Sequence, residues 1–239
     1  MEFSCANLSS WKSSLASYDS CLESLQKPDL ISLDAFYRKE LPLLIRQREP
    51  QPFIAHPELH RLVRWKLSRG KWRPRLLDFA SSLPETLVES ASKKAFASLP
   101  DLRKAVSELT VLKGIGPATA SAILAAYAPD VAPFMSDEAM VATLGSAKEY
   151  TLNQYLYFAE KLQEKAKSFS VCGEKTTADG LDRALISVAM REYLSTHGIV
   201  HQTTCGYTPA QNGVSERKNR HLLEVAKSVM LNMKVPQSL

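Results

Sequence analysis

The sequence predicts a mainly α-helical protein that ends in a short strand-and-helix tail. Three observations predict this: apolar residues recur at helical spacing through most of the chain, alternating strand-like patterns are nearly absent before residue 195, and the texture changes near residue 190. From 33 to 48 the apolar spacing is that of one buried helix face, until Pro50 and Pro52 break it. Further helices are expected at about 57–69, 84–98, 101–112, 117–127, 135–144 and 151–170, with Pro or Gly near most of the breaks. TTADGLDRALISVAM, from residue 176, reads as one more helix. Beyond it, HGIVHQTTCGYTPAQNG brings β-branched residues and turn-formers, and an amphipathic pattern follows at about 213–233. The chain therefore divides into a helical domain, 1–188, and a fragment, 189–239. One strand and one helix are too little for an independent core, so the fragment is expected to pack on the larger domain, to dimerise or to stay partly disordered.

Composition narrows the partner. The net charge of +5 and a pI near 9.0 favour a polyanionic partner over an acidic protein surface. No apolar run is long enough to span a bilayer, and Asp19, Glu23 and Lys27 stand where a secretory leader would be apolar, so an intracellular protein is expected. Cys5, Cys21, Cys172 and Cys205 lack the paired spacing of a zinc site and read as reduced thiols. The two histidines of HPELH, at 56–60, flank a misplaced Glu and a Pro, and read as ordinary polar residues.

The sharpest motif is LTVLKGIGPATASAILAAY. An apolar helix ends at Leu112, Gly114-Ile115-Gly116 makes a tight turn, and Pro117 stands where the first turn of a new helix tolerates a residue without an N–H. The start of that helix offers unpaired N–H groups to an anion. Downstream, APDVAPFMSDEAM places Asp137 at the opening of another helix. Upstream, HRLVRWKLSRGKWRPR, residues 60–75, holds seven Lys or Arg and two Trp with no acidic residue. Its cations, Arg64, Lys66, Arg69, Lys71 and Arg73 among them, form a candidate phosphate-facing stripe, while Trp65 and Trp72 read as core anchors.

Residues 109–140 resemble the helix-hairpin-helix DNA glycosylase superfamily, within a helical frame of about 30–185. The resemblance implies that Gly114, Ile115 and Gly116 hold a DNA phosphate through backbone amides, positioning the duplex without reading its sequence. It also implies a catalytic role for Asp137, which would stabilise positive charge on the sugar of a flipped nucleotide or activate a nucleophile. Capping its own helix is the other reading of Asp137, since Ser136-Asp137-Glu138 suits a helix start. Members with lyase activity carry a lysine just after the glycine turn, where this chain has Ala118, so Schiff-base lyase chemistry is not expected and any enzyme would be monofunctional.

The tail from Glu192, with YTPAQNGVSERKNRHLLEVAKSVM at its heart, resembles the end of the integrase catalytic core of copia-type retrotransposons. That family's RNase H-like fold holds two divalent metals on three carboxylates. Glu216 matches the third carboxylate, and the resemblance turns Arg217, Lys218 and Arg220 towards DNA phosphates. The second should be an aspartate in a DNG-like turn, but the family spacing lands on Gly180. Asp179 is one position off, in a helical segment, and the first carboxylate has no counterpart. Mg²⁺ would be required only by a complete integrase site, so no cofactor is expected.

These readings converge on a nuclear, non-catalytic duplex-DNA-binding protein: a helical helix-hairpin-helix domain followed by a truncated RNase H-like strand-helix fragment. A monofunctional glycosylase using Asp137 is the first alternative, and a protein-interaction scaffold whose hairpin binds no DNA is the second. The first two part on whether a base-sized pocket lies beside Asp137, and the scaffold parts from both in that Gly114→Asp would leave its affinity unchanged.

Overall fold

The computed structural model describes residues 3–69, 73–145, 149–171 and 176–196, all within one compact unit, Met1–His201. Among these residues the protein is mainly helical and has no strand. No helix there is long and apolar enough to cross a membrane. The expected strand-and-helix tail lies outside the described residues.

Two short helices open the chain, α1 (Leu8–Ala16) and α2 (Tyr18–Ser24). Asn7 caps α1 by accepting from Ser9 N–H at 2.9 Å. Their buried anchors, Trp11 and Tyr18, tie them to the rest of the core. The helix expected at 33–48 is α3 (Pro28–Ala35), a π-helical turn (Phe36–Glu40) and α4 (Leu41–Arg46). The wider turn shifts the helical register so that Phe36 and Tyr37, although adjacent, are both buried. Below it the carboxylate of Asp34 is fully buried, accepting from Tyr18 Oη (2.9 Å), Trp65 Nε1 (3.0 Å) and Arg38 Nε. Three donors repay the desolvation of that one charge and join three helical segments.

Helix α5 (His56–Arg69) carries the first part of the basic segment. Glu58 in its first turn accepts from Ala55 N–H at 2.9 Å and pairs with Arg48 at 2.6 Å, while His56 Nε2 bonds Ala80 O at 2.9 Å. Both polar groups of HPELH with a role are thus structural. Trp65 is buried, stacked on Tyr37 at 3.7 Å between ring centroids, as its reading as a core anchor requires. Trp72 lies outside the described residues.

Helices α6 (Pro74–Ser81) and α7 (Glu85–Ala97) lead to a hairpin of α8 (Leu102–Thr110) and α9 (Pro117–Tyr127). Asp101 caps α8 through Lys104 N–H at 3.0 Å. Helices α10 (Asp137–Leu144), α11 (Leu152–Val171) and α12 (Ala178–Thr196) complete the unit. Helix α9 is rich in Ala, is buried on every side from Ala118 to Ala126, and packs against α4, α5, α7, α8 and α11. Helix α12 returns to the start of the chain, where Ser187 Oγ lies 2.9 Å from Ser17 Oγ and Arg191 Nη2 donates to Ser14 Oγ at 3.0 Å.

Candidate functional site

The turn between α8 and α9 uses its two glycines differently. Gly114 has φ +85°, and a Cβ built there would stand 2.8 Å from Cβ of Phe79 on α6, so both the turn and the packing of α6 demand glycine. Gly116 has an ordinary extended conformation, φ −97° and ψ 179°, and a Cβ there would meet nothing within 4 Å. Ile115 turns its side chain into the core, and its N–H is already bonded to Leu112 O at 3.0 Å. Of the three residues expected to offer amides, Ile115 has none left to give. At the start of α9, Thr119 and Ala120 N–H both bond Gly116 O at 2.9 Å. Among the described residues no partner engages the N–H of Gly116 or of Ala118.

Asp137 is the first residue of α10, and the cap is its neighbour. Ser136 Oγ accepts from Ala139 N–H at 3.2 Å and donates to the buried Asp182 of α12 at 2.6 Å. The capping role considered for Asp137 thus falls to Ser136. The carboxylate of Asp137 accepts from Tyr150 Oη at 2.7 Å. Burial, followed by that bond to a carboxylate, pushes the Tyr150 hydroxyl up to about 12.

A pocket of about 450 Å³ brings these pieces together. Gly116, Pro117 and Ala118 line one wall, Ser136, Asp137 and Glu138 a second, and Lys66, Arg69 and Arg73 a third, with Tyr150 at the edge. Its volume falls in the usual range for small-molecule sites, about 300–1,000 Å³. The hairpin turn, the basic segment and Asp137, separate in sequence, thus share one cavity.

The basic segment does not form one exposed stripe. Arg64 is half exposed and only 3.8 Å from Asp29. Arg69 turns inward: its side chain is 8% exposed, pairs with Glu138 at 3.6 Å and lies over the Trp65 and Phe134 rings. Burial alone would lower its affinity for a proton, but the surrounding Tyr18, Glu138, Asp182 and Asp34 outweigh it and raise it. Arg69 therefore belongs to the pocket wall and the core, not to a solvent face. Lys66 and Arg73 line the pocket, and Lys71 lies outside the described residues. Burial disfavours the charged form of the Lys66 ammonium, as does the Arg73 charge; Asp137 opposes them, and the net shift is downward.

Two residues of this region had no assigned role in the sequence. Tyr150 had no signal there, since only the fold brings it to Asp137. Lys113 did: it immediately precedes Gly114, and its ammonium is exposed, 4.9 Å above the Phe79 ring. Asp179 sits in the first turn of α12, paired with Arg183 at 3.2 Å. Glu216, Arg217, Lys218 and Arg220 lie outside the described residues.

Comparison with known proteins reaches only part of the chain. Over 51 residues, 21% of the chain, it is 45% identical to the retrovirus-related Pol polyprotein from transposon RE2 of Arabidopsis thaliana. Over 51 residues it is 43% identical to that from transposon RE1 of the same plant, and over 47 residues 47% identical to that from transposon TNT 1-94 of Nicotiana tabacum. The chain carries a retrotransposon-derived fragment. It spans 4% of the length of these curated relatives. No protein-family model and no solved structure matches the chain.

Proposed function

We propose that the helical unit binds duplex DNA, with the α8–α9 turn seated on the phosphate backbone and the pocket facing the nucleotide beside it. The observation that carries this reading is the shared cavity: the open Gly116 backbone, the unpartnered Gly116 and Ala118 amides, and the Lys66 and Arg73 cations line one pocket. Two helix-start amides and two cations suit a phosphate oxygen, and such contacts position a duplex without selecting a sequence. Lys113 and Arg64, exposed nearby in sequence, extend the cationic surface. In this reading the retrotransposon-derived fragment adds phosphate contacts through Arg217, Lys218 and Arg220 and performs no strand transfer, because Glu216 lacks its two partner carboxylates. A DNA ligand implies a nuclear protein.

The pocket beside Asp137 favours a second reading, a monofunctional DNA glycosylase. A cavity of about 450 Å³ with a carboxylate on its wall suits an extruded base, and Asp137, freed from capping by Ser136, would stabilise charge on the sugar.

The test is a titration of the full chain against intact duplex and duplex bearing an abasic-site analogue, at several salt concentrations, with a Gly116→Asp variant alongside. Asp at this position is a good helix cap with open space for its side chain, so α9 should be as stable as before or slightly more so. The added negative charge should lower DNA affinity at least tenfold at low salt. Preference for the abasic duplex would favour the glycosylase. Affinity unchanged in Gly116→Asp would end the hairpin reading and leave the scaffold.

A further inference from the structure

Arg69 has no part in the phosphate contacts drawn above, although it lines the same cavity with a side chain only 8% exposed. Its guanidinium lies over the Trp65 and Phe134 rings, 5.4 and 5.6 Å from their centroids. Such contacts occupy the face of the group and leave the fork of N–H donors at its edge. Among the described residues no hydrogen bond engages that fork, and the ion pair with Glu138, at 3.6 Å, is too long to be one. Donors so far withdrawn from water are costly to leave unmade, and an acceptor entering the cavity would satisfy them. The lining as a whole favours an anion, since Lys66, Arg69 and Arg73 outnumber Asp137 and Glu138. A negative group beside Lys66 would also offset the burial that disfavours its charge.

We propose that the pocket binds a phosphate monoester, with Arg69 as its bidentate anchor. A guanidinium fork matches two oxygens of one phosphate. A carboxylate would fill the fork but leave Lys66, Arg73 and the Gly116 and Ala118 amides without acceptors, whereas a monoester brings a third oxygen and a charge of about −2. Depth separates the monoester from a diester. The phosphate of a continuous backbone has chain leaving on both sides and stays at the surface, where the exposed Lys113 and Arg64 suit it. A terminal phosphate has chain on one side only and can enter as far as Arg69. The Asp137 carboxylate, which repels the phosphate, suits a hydroxyl or amino donor on the rest of a nucleotide. Two sources carry this chemistry: the phosphorylated end of a broken DNA strand and a free nucleotide. The first rests on the DNA reading; the second does not.

The experiment titrates the full chain at pH 7 with deoxyadenosine, deoxyadenosine 5′-monophosphate and the methyl ester of that monophosphate, which compare no phosphate, a monoester and a diester. A second arm uses duplexes with a single-nucleotide gap, its ends bearing either phosphate or hydroxyl. The monoester should bind roughly tenfold or more tighter than its partners in at least one arm. Arg69→Lys, which keeps the charge without the fork, should remove that preference, and Arg73→Gln, at an exposed position, should weaken it. Because Arg69 also packs on the core, a crystal structure of the unmutated protein with the preferred ligand locates the phosphate without a variant. Phosphate bonded to Arg69 is the expected result; phosphate bound elsewhere would overturn the proposal. Monophosphate binding without any duplex binding ends the DNA reading and assigns the site to a free nucleotide, while a preference at the gap alone assigns it to strand ends. Duplex binding with no preference for the monoester in either arm would leave the DNA reading standing and sink this one.

Discussion

Ser136 Oγ donates to the buried carboxyl of Asp182 at 2.6 Å, and so joins the start of α10 to the second turn of α12. The bond has a pH signature. Burial, then the nearby Asp179, raises the Asp182 carboxyl well above its ordinary range; the Ser136 bond and Arg69 pull it back only in part, and Glu138 adds to the rise. An unfolded aspartate titrates near pH ~3.9. Below that pH both states hold the proton. Above it the unfolded state loses the proton first, so the folded state binds more protons, and stability falls as pH rises until Asp182 itself ionises. Asp179 is also raised and acts with the same sign. Asp182→Asn imitates the protonated carboxyl and removes this contribution. The variant should gain on the unmutated protein by about 1.4 kcal/mol per pH unit through that window. Chemical denaturation at a series of pH values reads the difference, and parallel curves would refute the protonated assignment.

The hairpin glycines should respond in opposite ways. Gly114→Ala forces a Cβ to 2.8 Å from Phe79 at positive φ, and should cost about 1–3 kcal/mol by strain and overpacking. Gly116→Ala meets no atom and needs no unusual backbone, so thermal unfolding should move by less than about 1 kcal/mol equivalent.

Tyr150 and Asp137 should titrate as partners. In protein labelled at the tyrosine ring carbons, NMR should place the Tyr150 midpoint near 12. Asp137→Asn removes the accepting charge and should bring it down towards the ordinary tyrosine value of about 10. An unmoved midpoint would show that the 2.7 Å contact is not maintained in solution.

A chain ending at Ser187 should be less stable than one ending at Thr196. The longer chain keeps Leu194, 1% exposed, and the Arg191 bond to Ser14. Losing a buried leucine and that bond should cost about 3–5 kcal/mol in urea unfolding. Equal midpoints would mean that the last two turns of α12 contribute nothing to the unit.

Helices α5 and α7 through α11 were legible because strong apolar periodicity is punctuated by Pro and Gly, as at Pro117 and Gly145. Helices α1 and α2 were not: LSSWKSSLA and YDSCLES are rich in serine, and burial of Trp11 and Tyr18 against distant residues overrides weak local propensity. Helix α6 begins at the end of a run read for its charge, and its remaining residues were assigned to no element. The π-helical turn at Phe36–Glu40 is a register shift set by packing, which local periodicity does not carry. At the site, the sequence marked Gly116, Lys66, Arg73 and Asp137 singly, but not their common cavity. Nor did it distinguish Arg69, identical in type to Arg64 and five residues away, as the one that turns inward.

The contact of α12 with α1 and α2 also sets a clock. Ser17 and Ser187, 170 positions apart, meet at 2.9 Å. At about 5–20 residues per second, a ribosome takes roughly 10–35 s to make the chain between them. Throughout that interval the first helices exist without the helix that closes over them. Their apolar residues are then available to chaperones, or to a neighbouring nascent chain, until α12 emerges.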